Sequence, residues 1–256
     1  MNRIDNLFQQ KKNNILSIYF TAGHPTLLST VDILTELEGS GTDMIEIGMP
    51  FSDPLADGPV IQDSSAKALK NGMTIKGLFD QLTNIRQKVK TPLLLMGYIN
   101  PVLQFGVEAF CKKCREVGVD GIILPDLPMD IYQESFKKYF EENDLRFIFL
   151  ITPQTSDERI LMIDSISNGF IYMVSSSSTT GAKSSIVSTQ VAYFERVKAL
   201  KLKNPLVIGF GISNGETFNR ACSYANGAII GSAFVKMLNE TTDWKKGISD
   251  FVKQIN

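Results

Sequence analysis

Eight short apolar runs, each followed by a helix-like stretch, span the chain from end to end and constrain it more than any other feature. They are Ile15–Phe20, Met44–Gly48, Leu93–Tyr98, Val119–Leu124, Leu145–Ile151, Phe170–Val174, Leu206–Phe210 and Ala228–Gly231. They are continuous rather than alternating, the pattern of parallel strands covered on both faces. Between them, Leu78, Phe79, Leu82, Ile85 and Val89 repeat with helical spacing. Ser156 reads as an N-cap ahead of Ile160, Ile163 and Ile166, with Gly169 as the stop. Ser213 and Glu216 stand at capping-box spacing. Eight strand–helix units in 256 residues, with no linker between them, predict a single (β/α)8 TIM-barrel domain over 1–256. A doubly wound open sheet is the competitor, but no dinucleotide fingerprint follows the first run. The leading segment Arg3–Lys12 reads as an extra helix plugging the barrel bottom.

Charge and composition narrow the partners. Net charge is −1 and no candidate helix carries a basic stripe, which argues against nucleic acid and anionic membranes. The longest apolar runs are too short to cross a bilayer. The start, "MNRIDNLFQQKKNN", lacks the apolar core of a signal peptide. Three cysteines suggest a reducing compartment, so the expected location is cytoplasmic.

In a barrel, chemistry sits at the C-terminal ends of the strands. No lysine stands there, which disfavours a Schiff-base aldolase. One histidine, His24, cannot build a multi-histidine metal site, and it reads as a loop residue; no metal is expected. Cys111 and Cys114 lie in a helix-like stretch, and Cys222 and Trp244 read as packing. Carboxylates and glycines remain. Glu46 lies in the second run, Asp53 and Asp57 follow it in "PFSDPLADGP", and Asp126 follows the fourth. The loop aspartates suit turn chemistry as well as catalysis. A carboxylate inside a buried strand is costly unless paired or at a cleft, and desolvation raises its pKa toward the proton-transfer range. An ion pair is the other reading for Glu46. Gly209–Ser213 and Gly231–Ser232 each open a helix, as phosphate-binding turns do and as ordinary βα turns also do. The loop Ser175–Ser185, "SSSSTTGAKSS", suits either a lid or a plain surface loop. Together these residues point to a phosphate-bearing small molecule handled by carboxylate acid–base chemistry.

"IEIGMPFSDPLADGPVIQ" closely resembles the signature of the tryptophan synthase alpha subunit family. "LMGYINPV", "DGIILPDLP", "YMVSSSSTTGAK", "GFGIS" and "GSAFVK" follow in that family's order and spacing, over essentially the whole chain. The resemblance implies a lyase that cleaves indole-3-glycerol phosphate into indole and glyceraldehyde 3-phosphate. It implies a beta-subunit partner in an alpha2beta2 heterotetramer, which holds pyridoxal phosphate and joins indole to serine, and no cofactor in this chain. By match, Glu46 and Asp57 are the catalytic acids. Tyr172, Phe210, Tyr98 and Ile123 line the indole pocket, and Thr180 is the lid threonine. Gly181, Gly211, Gly231 and Ser232 hold the phosphate, and Asp53, Asn100 and Pro101 meet the beta subunit. Some family members carry an arginine where Ser176 stands, so contacts made by that arginine do not carry over, and nothing assigns its role to Lys183. A non-catalytic activator, or a related phosphate-binding barrel such as an indole-glycerol-phosphate synthase or a sugar-phosphate isomerase, are the alternatives. The activator has no use for Glu46 and Asp57; the synthase needs a strand-end lysine, and none is found.

Overall fold

The structure, a computed structural model, describes residues 1–174, 188–209 and 211–255. Parallel strands β1 (Ile15–Thr21), β2 (Met44–Gly48), β3 (Leu93–Met96), β4 (Gly121–Ile123), β5 (Arg146–Phe147), β6 (Phe149–Ile151), β7 (Ile171–Val174), β8 (Leu206–Gly209) and β9 (Gly227–Ile230) form one sheet. Its order is β5-β4-β3-β2-β1-β9-β8-β7-β6. The two end strands are halves of the single predicted run Leu145–Ile151. Between them Ile148 still donates its N–H to Ile122 O at 2.9 Å. A sheet that begins and ends on one run is closed, so the predicted eight-stranded barrel is present, with one strand split.

The helices are α1 (Arg3–Gln10), α2 (Ser29–Gly39), α3 (Pro59–Lys70), α4 (Ile75–Leu82), α5 (Ile99–Phe105), α6 (Val107–Val117), α7 (Met129–Ile131), α8 (Lys137–Glu142), α9 (Asp157–Ile166), α10 (Ser188–Ala199), α11 (Gly215–Cys222), α12 (Ser232–Glu240) and α13 (Trp244–Ile255). A π-helical turn, Tyr132–Phe136, joins α7 to α8. The periodic stretch through Val89 is not one helix. α4 stops at Leu82, Asn84 takes a left-handed φ of 64°, and a 3-10 turn, Ile85–Gln87, follows. Ile85 and Val89 are buried all the same, because burial drives the pattern and a tight turn can satisfy it. Ser156 caps α9 as expected, accepting from Arg159 N, but the helix ends at Ser167 rather than at Gly169. The predicted Ser213/Glu216 capping box lies one residue further on, where Asn214 and Thr217 bond reciprocally.

Side chains divide into two apolar clusters. The larger fills the layer between sheet and helices and holds Leu16, Ile18, Phe20, Ile45 and Ile47. The smaller is the barrel interior and holds Ile15, Tyr19, Met44, Leu94, Ile123, Ile148, Tyr172, Val207 and Ile229. The period-2 alternation of strands sets this split. Ile4 and Phe8 of α1 join the interior cluster, so the predicted plug is real. Phe8 packs on Phe170 with ring centroids 5.8 Å apart. Asn2 caps the plug, accepting from Ile4 N at 2.9 Å and donating to Asp120 O and Asp144 O. Arg146 grips Asp5 at 2.6 Å. With α1 packed against the interior cluster, the C-terminal ends of the strands are where a barrel carries its site.

Candidate active site

Register decides where Glu46 points. β1 and β2 pair Tyr19 with Glu46 and Thr21 with Gly48, so Met44, Glu46 and Gly48 share the inward face. Glu46 is fully buried. Its Oε1 accepts from Ser17 Oγ at 2.9 Å, and its Oε2 has no partner among the described residues. No cation offsets its burial, and desolvation pushes its pKa up to about 8 against the pull of the Ser17 bond. The ion-pair reading is thereby excluded among the described residues.

Asp57 reaches the same region from the loop after β2. Its backbone N–H donates to Pro54 O at 3.0 Å, and Gln62 Nε2 donates to its carbonyl at 2.9 Å. Pro59 at the first turn of α3 stiffens the exit. The side chain turns inward, 9% exposed, and accepts from the Tyr98 hydroxyl at 2.9 Å. That hydroxyl in turn accepts from Ala56 N at 3.0 Å. Burial raises Asp57 to about 6 in spite of the Tyr98 bond. At neutral pH, Glu46 is therefore mostly protonated and Asp57 mostly ionised.

Two buried tyrosines lie within the electrostatic reach of both acids. Tyr19 and Tyr172 are each held above the ordinary phenol range by burial first, and then by the negative charge of both Asp57 and Glu46. Both rings lean over strand-end glycines. A Cβ on Gly48 would collide with the Tyr19 hydroxyl, and one on Gly209 would collide with that of Tyr172. A directional chain fixes the first of them. Ser64 Oγ gives its hydrogen to Ile61 O, so Thr21 Oγ1 donates to Ser64 at 2.6 Å and is left to accept from Tyr19 at 3.4 Å.

The anticipated residues fall out unevenly. Glu46, Asp57, Tyr98 and Tyr172 are buried at the open end, and Ile123 is buried on β4. Gly211 has φ +78° and is exposed after β8. Gly231 is the N-cap of α12 with Ser232 as its first residue, and no side chain caps this helix. The neighbouring α11 is closed by Asn214, so of the two helix starts only that of α12 keeps its first amides free of a side-chain cap. Asp53 is exposed on the loop rim, where its carboxylate takes the Ser52 hydroxyl. Asn100 is exposed and Pro101 half-buried at the start of α5. Asp126 is a structural residue that accepts from Ile99 N at 3.0 Å, capping α5. Thr180, Gly181 and Phe210, with the Ser175–Ser185 loop, lie outside the described residues. Ser17, Tyr19 and Thr21 were missed. Three polar-capable residues at alternate positions in an apolar strand carried the signal.

A profile of the family described as "Tryptophan synthase alpha chain" matches residues 5–255. A curated tryptophan synthase alpha chain from Flavobacterium johnsoniae is 62% identical over 255 residues, covering 100% of both chains. Tryptophan synthase subunit alpha from Legionella pneumophila superposes with a TM-score of 0.89 at 32% identity, over 100% of this chain and 97% of that one. A chain of tryptophan synthase from M. tuberculosis, in an aminoacrylate-bound form, gives 0.87 at 29% identity, over 100% and 98%.

Proposed function

This chain belongs to the tryptophan synthase alpha chain family, and from that footing we propose that Glu46 and Asp57 divide its carbon–carbon cleavage between them. The chain is a lyase of tryptophan biosynthesis, taking indole-3-glycerol phosphate to indole and glyceraldehyde 3-phosphate. An indole carbanion is a poor leaving group, so the ring must be protonated before the bond breaks. Protonated Glu46 delivers its proton to C3 of the indole, leaving a cationic indoleninium. The Asp57 carboxylate accepts the ring N–H and stabilises the charge that develops there. The glutamate, now a carboxylate, takes the proton of the hydroxyl on the adjoining glycerol carbon. The electrons of the breaking bond return to the ring, neutral indole leaves, the glycerol carbon becomes the aldehyde, and Glu46 is protonated again.

Tyr98, Tyr172 and Ile123 flank the ring in this reading, with Phe210 completing the pocket. Gly211, Gly231, Ser232 and Gly181 take the phosphate, and Thr180 belongs to the covering loop. Asp53, Asn100 and Pro101 meet a beta subunit in an alpha2beta2 assembly, with exposed Leu55 and Leu103 on the same two segments. Pyridoxal phosphate belongs to that partner in this reading. The reading places the enzyme in the cytoplasm, in keeping with three free cysteines.

The observation that carries it is Oε2 of Glu46, buried inside the barrel with no partner among the described residues. Indole release by the parent and by Glu46→Gln tests it. The amide keeps size and hydrogen bonding without proton transfer, so kcat falls at least ~10²-fold with KM little changed. Near-parental turnover by that variant would remove Glu46 from the mechanism.

A further inference from the structure

A hydroxyl placed among apolar neighbours inside the barrel has one function visible in its surroundings. Ser17 pairs across β2 with Met44 and across β9 with Ile229, and it is fully buried. A valine or isoleucine at that position would bury more apolar surface, so the hydroxyl costs packing there. Its bond goes to Glu46 Oε1 at 2.9 Å. Ser17 lies two residues below Tyr19, the register partner of Glu46, so the bond comes from the barrel floor, on the side away from the opening.

Hydrogen counting gives the bond a consequence. Serine has one hydroxyl hydrogen, and here it is spent on Oε1. A carboxylic acid carries its proton on one oxygen only. With Oε1 engaged as an acceptor, Oε2, which has no partner among the described residues, is the oxygen left to carry the acid proton of Glu46. We propose that Ser17 is a positioning residue for the reaction, holding the Glu46 carboxyl by Oε1 so that Oε2 carries the proton that moves to and from substrate. This rests on the reading of Glu46 as the proton carrier. It also explains how one carboxyl serves two transfers in sequence. The same oxygen that gives its proton to the ring is left as the base, and the carboxyl need not rotate.

The groups facing Glu46 are Tyr19 on β1, Tyr172 on β7 and, across them, Asp57; the tyrosine hydroxyls stay protonated throughout the working range. The bond from Ser17 opposes the effect of burial on Glu46. Ser17→Ala therefore moves the alkaline limb of the kcat/KM profile to higher pH. It lowers kcat about 3- to 10-fold, the equivalent of one neutral hydrogen bond, and leaves KM unchanged. Difference infrared spectroscopy gives a readout free of turnover: the carboxylic-acid carbonyl band, identified by its loss in Glu46→Gln, shifts in Ser17→Ala and persists to higher pH. Ser17→Thr keeps the hydroxyl and restores profile and band. Ser17→Cys keeps the volume with a weaker donor, so it shifts both in the direction of alanine and guards against a misfolded alanine variant. Parental pH limb and parental band in both Ala and Cys variants overturn the proposal while Glu46→Gln remains inactive. Activity retained by Glu46→Gln instead overturns the mechanism on which the proposal rests.

Discussion

The two carboxylates of the proposed site are shifted to different extents because their surroundings differ. Each accepts one hydroxyl among the described residues, Ser17 for Glu46 and Tyr98 for Asp57, but Glu46 is fully buried and rises to about 8, whereas Asp57 is 9% exposed and rises to about 6. Activity that needs the first protonated and the second ionised gives a bell-shaped kcat/KM profile with limbs near these two values, and Asp57→Asn removes the acidic limb together with most of the rate. The same shifts tax the fold. A carboxyl whose folded pKa lies above its unfolded value keeps a proton that the unfolded chain has already lost. Between pH 4.5 and about 8 the native state thus binds more protons, and stability falls as pH rises through that window. Glu46→Gln abolishes this contribution. Urea melts at pH 5 and pH 8 are expected to show the variant gaining at least ~1 kcal/mol on the parent at the higher pH, and little at the lower. An equal difference at both values would mean that the Glu46 pKa is not raised in the folded state.

The two candidate anion-binding turns are built differently, and that separates their roles. α11 begins at Gly215 behind a closed Asn214–Thr217 box, while α12 begins at Ser232 with Gly231 before it and no capping side chain. The proposed phosphate contact in the α11 turn is therefore Gly211, whose φ of +78° suits a residue without Cβ. Gly211→Val adds branched bulk and backbone strain at that point. Calorimetric titration with glycerol phosphate is expected to show at least ~10-fold weaker binding, with the far-ultraviolet circular dichroism unchanged. Unaltered affinity would place the phosphate elsewhere. The strand-end glycines work the other way. Gly48 and Gly209 are tied to the tyrosine rings above them, a role that the sequence alone does not show.

The barrel is plugged below by α1, and both of its ends can be tested on the whole molecule. Phe8 is buried against Phe170 beneath the interior cluster. Phe8→Ala is expected to cost about 3–5 kcal/mol in a denaturant melt, as large-to-small core changes do. A loss below ~1 kcal/mol would make α1 an appendage rather than a plug. At the other end, Leu103 is 51% exposed on α5, next to the segment assigned to the partner. Leu103→Asp is expected to leave the basal rate of the isolated chain unchanged while reducing beta-subunit stimulation at least ~10-fold, since a charge in an apolar contact is left unpaired. Stimulation at the parental level would move the interface off α5.

Much of this was legible before any coordinates. Continuous apolar runs at even spacing are what a closed parallel sheet demands, so architecture and strand ends could be read directly. Glu46 stood out because a charge in such a run is expensive. Tertiary structure alone decided the rest. Whether Glu46 had an ionic partner depended on neighbours distant in sequence. The answer among the described residues, the Ser17 hydroxyl and no cation, came from strand pairing across 29 residues. Asp57 could be a turn residue or an acid until Tyr98, 41 residues on, was seen to hold it inward. Local pattern specifies elements because each residue's propensity and burial periodicity act over a few positions. A site is made by contacts between elements, and these exist only once the barrel has closed.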